Sequence, residues 1–126
     1  MNVLVDTSVW IDHFRNGSDA LIRLLTLDRV LTHPLVIGEI ACGTPPAPRA
    51  RTLASIALLK PCYQASAEEV LDLIEREKLF GLGCGLIDLS LLASTLITPD
   101  AKLWTLDRRL EAIASDFDVS YTHPTH

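Results

Sequence analysis

Short apolar runs broken by polar positions mark out alternating strands and helices along the chain. Val3 to Asp6 reads as a buried strand, being short, apolar and β-branched at two positions. Thr7-Ser8 opens a helical stretch, Val9 to Phe14, that ends near Asn16-Gly17. Ser18 or Asp19 caps a second helix through Leu27, with apolar Leu21, Leu24, Leu25 and Leu27. Val30-Leu31-Thr32 is the second strand, and Pro34 fits the first turn of a helix that carries Glu39 and stops at Gly43. Thr44 to Pro48 is a rigid, exposed, proline-rich loop. Arg49 to Leu59 reads as helical and leads to a short strand around Cys62-Tyr63. Ser66 and Glu69 form a capping box ahead of the amphipathic helix Val70 to Leu79. The glycine-rich stretch Gly81 to Gly85 connects into a helix over Ile87 to Leu96. A strand over Lys102 to Leu106, a short helix over Arg108 to Ala114 and a last strand over Val119 to Thr122 complete the pattern. Strands alternating with helices predict an α/β fold built around a mostly parallel sheet, in one domain spanning residues 1–126.

Four acidic residues interrupt this pattern where apolar character ought to continue. Asp6 closes Val3-Leu4-Val5, Glu39 interrupts Val36-Ile37-Gly38, Asp88 breaks Leu86-Ile87, and Asp107 follows Leu103-Trp104-Thr105-Leu106. An ionised carboxylate is costly to bury unless it is paired, hydrogen-bonded or bound to a metal. Each of the four has an ordinary alternative. Asp6 and Asp107 sit where helix caps sit. Asp88 lies in a first helical turn, where the dipole favours an acid. Glu39 could pair with an arginine, although its apolar neighbours direct it towards protein. Together they carry more weight, because Asp6 and Asp107 both follow apolar strands and precede helices. A parallel sheet places both at one edge, where ligands of open α/β sheets bind. Glu39 and Asp88 lie near the starts of helices that can flank that edge. Carboxylates gathered there repel one another unless a cation neutralises them, and all-oxygen sites suit Mg²⁺ and Mn²⁺. Ser8 and Thr105, each two residues from one of the acids, can orient a ligand or serve as plain strand-end polarity.

Composition narrows the chemistry further. With 126 residues, 48% hydrophobic and 21% charged, the chain can bury a core and is not of disordered type. No apolar run is long enough to span a membrane, and the longest, Leu86 to Ile97, contains Asp88. The N-terminus has no basic region and does not read as a signal peptide. Cys42, Cys62 and Cys84 are odd in number and widely spaced, with no Cys-x-x-Cys pair, which argues against a zinc site or a disulfide framework and suits a reducing cytosol. They read as three small buried hydrophobes. His13, His33, His123 and His126 show no metal-ligand spacing and read as exposed or loop residues. Arg15, Arg49, Arg51, Arg108 and Arg109 can touch substrate phosphates, but read as solvated surface. A net charge of −5 argues against a nucleic-acid partner at first sight. Set the four acids aside and the remaining charges nearly balance, so bound cations would let the site accept phosphate oxygens.

At these residues the chain resembles the PIN-domain family, and within it the VapC-type ribonuclease toxins of prokaryotic toxin–antitoxin pairs. The opening Val3 to Ile11, with Asp6-Thr7-Ser8, is similar to the first family motif. His33 to Ile40 with Gly43 resembles the second, Gly85 to Asp88 the third, and Leu103 to Leu110 the fourth. The resemblance implies a three-layer α/β/α sandwich and Mg²⁺- or Mn²⁺-dependent endoribonuclease activity. It carries the metal-binding and catalytic roles onto Asp6, Glu39, Asp88 and Asp107, with Ser8 and Thr105 as orienting groups. It also implies a homodimer, an RNA substrate such as transfer RNA, and a small VapB-type antitoxin partner. Some members carry a further acid after the fourth motif, where this chain has Arg108, Arg109 and Leu110.

Two other readings stand beside this one. A phosphatase with an aspartate nucleophile, of the haloacid-dehalogenase type, needs Asp-x-Asp-x-Thr after the first strand, whereas this chain has Asp6-Thr7-Ser8. A catalytically silent PIN-like module that binds RNA or a partner protein would keep the acids for structure alone.

Overall fold

A computed structural model describes residues 1–122. Four strands, β1 (Asn2–Val5), β2 (Val30–Thr32), β3 (Lys60–Pro61) and β4 (Ala101–Trp104), form one sheet in the order β3-β2-β1-β4. All three pairings are parallel, with Val3 beside Val30, Leu31 beside Lys60, and Val5 beside Trp104. Val3, Leu4 and Val5 are fully buried. A central parallel strand is covered on both faces, so it reads as a continuous apolar run rather than an alternating one.

Among the described residues seven helices lie between and after the strands: α1 (Thr7–Asn16), α2 (Asp19–Thr26), α3 (Pro34–Cys42), α4 (Arg49–Ala57), α5 (Ala67–Arg76), α6 (Leu86–Ile97) and, following β4, α7 (Arg108–Asp116). From β1 to β3 the chain steps one way across the sheet; from β3 to β4 it jumps back past β1. Parallel crossovers are right-handed, so these opposite steps put their helices on opposite faces. The contacts agree, since α3 packs on α1 and α4, whereas α6 packs on α5 and α7. The result is a three-layer α/β/α sandwich.

Local chemistry sets the helix ends. Ser66 and Glu69 form the expected capping box at the start of α5. Ser18 caps α2 by accepting from the Leu21 N–H. α1 stops at Gly17, whose φ of 73° favours a residue without a Cβ. Helix α6 is buried at every position from Leu89 to Thr95, as expected of an element covered on several sides. None of the helices among the described residues is long and apolar enough to cross a membrane.

Three expectations need correction. The last strand, placed over Val119 to Thr122, is a single bridge between Ser120 and Leu103. Leu103 donates to Val119 O at 2.7 Å and accepts from Tyr121 N at 2.9 Å, but the pairing extends no further among the described residues. The strand expected around Cys62-Tyr63 lies slightly earlier, at Lys60–Pro61. Cys62 N donates to Thr32 O at 3.0 Å, a regular parallel ladder bond that does not call on the N–H that Pro61 lacks. The cysteines are free but not uniformly buried: Cys62 is buried, Cys84 half-buried and Cys42, the last residue of α3, exposed. His123 and His126 lie outside the described residues.

Candidate active site

The sheet order places a topological switch point between β1 and β4, because the connections leaving and entering these neighbours run in opposite directions. Crevices at such points, beyond the carboxyl ends of the strands, are the usual ligand sites of open α/β sheets. Asp6 follows β1 at this position, and Thr105, Leu106 and Asp107 follow β4.

Asp6 occupies the N-cap position of α1, yet its side chain makes no capping hydrogen bond. Its carboxylate is 5% exposed and turns instead to two hydroxyls. Ser8 Oγ and Thr105 Oγ1 each donate to Asp6 Oδ2 at 2.7 Å. A hydroxyl has one proton to give and two lone pairs with which to accept. Ser8 Oγ accepts from Leu106 N at 3.0 Å, and Thr105 Oγ1 accepts from Asp107 N at 3.0 Å. Both protons are therefore committed to Asp6, and the 3.4 Å approach of the two hydroxyls to each other is a contact between acceptors. Charge-assisted bonds of this kind fix an ionised carboxylate in one orientation.

The other three acids surround this centre. Thr7 Oγ1 donates to Glu39 Oε1 at 2.7 Å, tying the start of α1 to α3. The start of α3 is itself fixed by Pro34 and by His33, whose Nδ1 accepts from Leu35 N at 3.0 Å. Asp88, in the first turn of α6, accepts from Gly85 N through Oδ2 at 3.3 Å. Burial pushes its carboxyl above the usual aspartate range, and the charges of Asp6 and Asp107 add to the rise while the Gly85 N–H opposes it. Asp107 caps α7, its Oδ1 accepting from Arg109 N at 2.9 Å and Leu110 N at 3.0 Å. The ordinary roles considered for Asp88 and Asp107 are thus real, but each uses only one oxygen. Asp6 Oδ1, Glu39 Oε2, Asp88 Oδ1 and Asp107 Oδ2 accept no hydrogen bond among the described residues. No lysine or arginine forms an ion pair with any of the four among those residues, so the arginine partner weighed for Glu39 is absent.

Four carboxylates with one uncommitted oxygen each form a hard, all-oxygen donor set. Among the described residues no three His, Cys, Asp or Glu side chains converge closely enough to enclose an ion by themselves. The set therefore suits a cation that keeps several of its waters and takes only one or two carboxylates directly, as small hard divalent ions do. Cys84 lies close by, but burial and then the charges of Asp88 and Asp107 push its thiol up, against the opposing pull of Arg109. A thiol held neutral is a poor metal ligand, which leaves the oxygens to decide the metal.

Comparison with known proteins agrees with this geometry. The PIN domain family model matches residues 3–116, a span that includes all four acids. The chain belongs to the PIN-domain family. Ribonuclease VapC32 of Mycobacterium tuberculosis, from two strains, is 41% identical over 121 residues, covering 94% of each chain. This places the protein in the VapC-type branch of the PIN fold. Two site residues escaped the sequence reading. Thr7 stands in the first motif and opens the helix but was given no role of its own, although its hydroxyl reaches Glu39. His33, read as an exposed or loop residue, is 4% exposed and anchors the helix that carries Glu39.

Proposed function

We propose that this single-domain protein is an endoribonuclease that uses Mg²⁺ or Mn²⁺, the toxin of a cytoplasmic type II toxin–antitoxin pair. The supporting observation is the set of four carboxylates at one sheet edge, each with an oxygen left over and none in an ion pair among the described residues. The VapC32 relatives, named as ribonucleases, supply the substrate class. Transfer RNA is the first RNA to test, a small VapB-type antitoxin the expected partner, and a homodimer the expected assembly.

Asp6 and Asp88 are the direct ligands in this reading, with Glu39 and Asp107 holding the ion through water or orienting the others. A divalent ion bound there supplies Lewis acidity for the phosphodiester and lowers the pKa of an attacking water. Ser8 and Thr105 keep Asp6 Oδ2 engaged, so that Oδ1 is the oxygen presented. Thr7 does the same for Glu39 through Oε1.

The spacing of the acids favours a second reading, a silent module that binds RNA or a partner, because no three of them close around an ion. Incubating the purified chain with total RNA and Mg²⁺ or Mn²⁺, beside EDTA and Asp6→Asn controls, separates the two. Discrete cuts lost in both controls establish the nuclease. Intact RNA in every lane supports the silent module.

A further inference from the structure

Five arginines were candidates for contact with substrate phosphates, and the structure separates them. Arg49 donates to Ala41 O at 2.6 Å and to Gly43 O at 3.2 Å, closing the end of α3. Arg51 lines an apolar cavity of about 370 Å³ with Trp10, Phe14 and Ile56. Arg15 faces a different hollow beside Ile11 and Pro46. Arg108 lines another hollow with Glu111, Ser115 and Asp118. Arg109 is placed differently. Its side chain lies across the backbone of Gly83, so close that a Cβ there would meet Cδ at 2.6 Å, Nε at 2.9 Å and Nη1 at 3.0 Å. Gly83 has a φ of 90°, a conformation that also disfavours any side chain.

Arg109 is exposed, and its guanidinium makes no hydrogen bond or ion pair among the described residues. Its charge nevertheless acts on Cys84 together with those of Asp88 and Asp107, so it stands beside the acids without joining them. A guanidinium with five donors, lying over a glycine and with none of them committed among the described residues, is free to meet an oxyanion. The acids alone repel RNA, and a positive charge beside them offsets this for a neighbouring phosphate.

We propose that Arg109, seated on Gly83, grips a phosphate of the RNA strand next to the scissile linkage and so directs the strand across the glycine-rich loop 81–85. The ligand class rests on the nuclease reading above. The test measures binding without cleavage. Fluorescein-labelled transfer RNA and a labelled unstructured RNA oligonucleotide are titrated with Asp6→Asn protein in EDTA over a salt series. Adding Arg109→Ala should weaken binding at low salt about tenfold and flatten the slope of log affinity against log salt by about 0.7 to 0.9, the loss of one phosphate contact. Arg109→Lys keeps the charge and should retain most of the slope while losing several-fold in affinity. Gly83→Ala, which displaces the side chain, should weaken binding in the same direction. Arg23→Ala, at the end of α2 towards the opposite sheet edge, serves as the control and should change neither quantity. A salt slope unmoved by Arg109→Ala, or no RNA binding by the Asp6→Asn parent, overturns the proposal. The two readings fail separately. If the wild type never cuts RNA but Arg109→Ala flattens the slope, the nuclease reading falls and the arginine seat stands; cleavage with an unmoved slope gives the reverse.

Discussion

Thr105 donates its hydroxyl proton to Asp6 Oδ2 at 2.7 Å, joining residues 99 positions apart. With the matching bond from Ser8, it holds the carboxylate at the β1–β4 switch point in one orientation. Asp6→Asn should abolish RNA cleavage while leaving far-UV circular dichroism unchanged. Ser8→Ala and Thr105→Val should each lower cleavage by roughly 10- to 100-fold, the usual cost of losing a group that orients a ligand. Measured together they should fall short of the product of the single effects, since both act on one oxygen. Full activity in Asp6→Asn would refute the site.

Divalent cations should raise the thermal midpoint. A ligand that binds only the folded state stabilises it by about 2.7 kcal/mol at a hundred times its dissociation constant. Differential scanning fluorimetry with Mg²⁺, Mn²⁺ and EDTA checks this. The shift should vanish in Asp6→Asn and shrink in Glu39→Gln; an equal shift in all three proteins would mean that the ion binds elsewhere.

His33 should make stability depend on pH. Its Nδ1 accepts from Leu35 N, so the neutral ring carries its proton on Nε2 and directs it to Ser94 Oγ at 3.1 Å. Burial pushes its pKa below the ordinary 6.5. The unfolded chain then takes up a proton at a higher pH than the folded one. His33 leaves stability unchanged above about 6.5 and erodes it as pH falls from there towards the lower folded value. Urea unfolding at about pH 7.5 and about pH 5.5 should show the loss, and His33→Asn, a good helix cap that does not titrate, should reduce it. A wild-type stability equal at the two pH values would contradict this account.

Asp88 gives the opposite sign. Its folded-state pKa is raised, so the folded chain holds a proton that the unfolded chain releases, and ionising the group costs stability as pH rises from the ordinary 3.8 through the folded value. In EDTA near neutral pH, Asp88→Asn should therefore melt above the wild type. With saturating Mg²⁺ the order should reverse, because in the proposed site Asp88 is a direct ligand and the variant lacks it. Thermal melts in the two buffers decide it.

Much of this was legible in the chain because local chemistry marked it. The capping box at Ser66 and Glu69, the proline opening α3 and the apolar run of β1 each follow from short-range rules. The positions of the four acids were readable for the same reason, as polar breaks in apolar runs. Which oxygen each acid commits was not readable. Asp107 invited reading as a cap or as a ligand, and its Oδ1 alone does the capping. His33 looked like a loop residue because it stands between a strand and a proline, and it is buried through Ser94, 61 positions away on α6. The last strand failed because apolar and β-branched residues show a tendency to pair, not how many partners the neighbouring edge offers.

The strand order also sets when the site comes into being. A chain leaves the ribosome from its N-terminus. Asp6, Ser8 and Glu39 emerge before Asp88, Thr105 and Asp107, and Thr7 and Glu39 are near enough in sequence to meet before those later residues are made. β1, the first strand made, has to wait for the last of the four, β4, before Thr105 can reach Asp6. Nascent, stalled or truncated products that end short of β4 therefore carry the earlier acids without the arrangement that orients them.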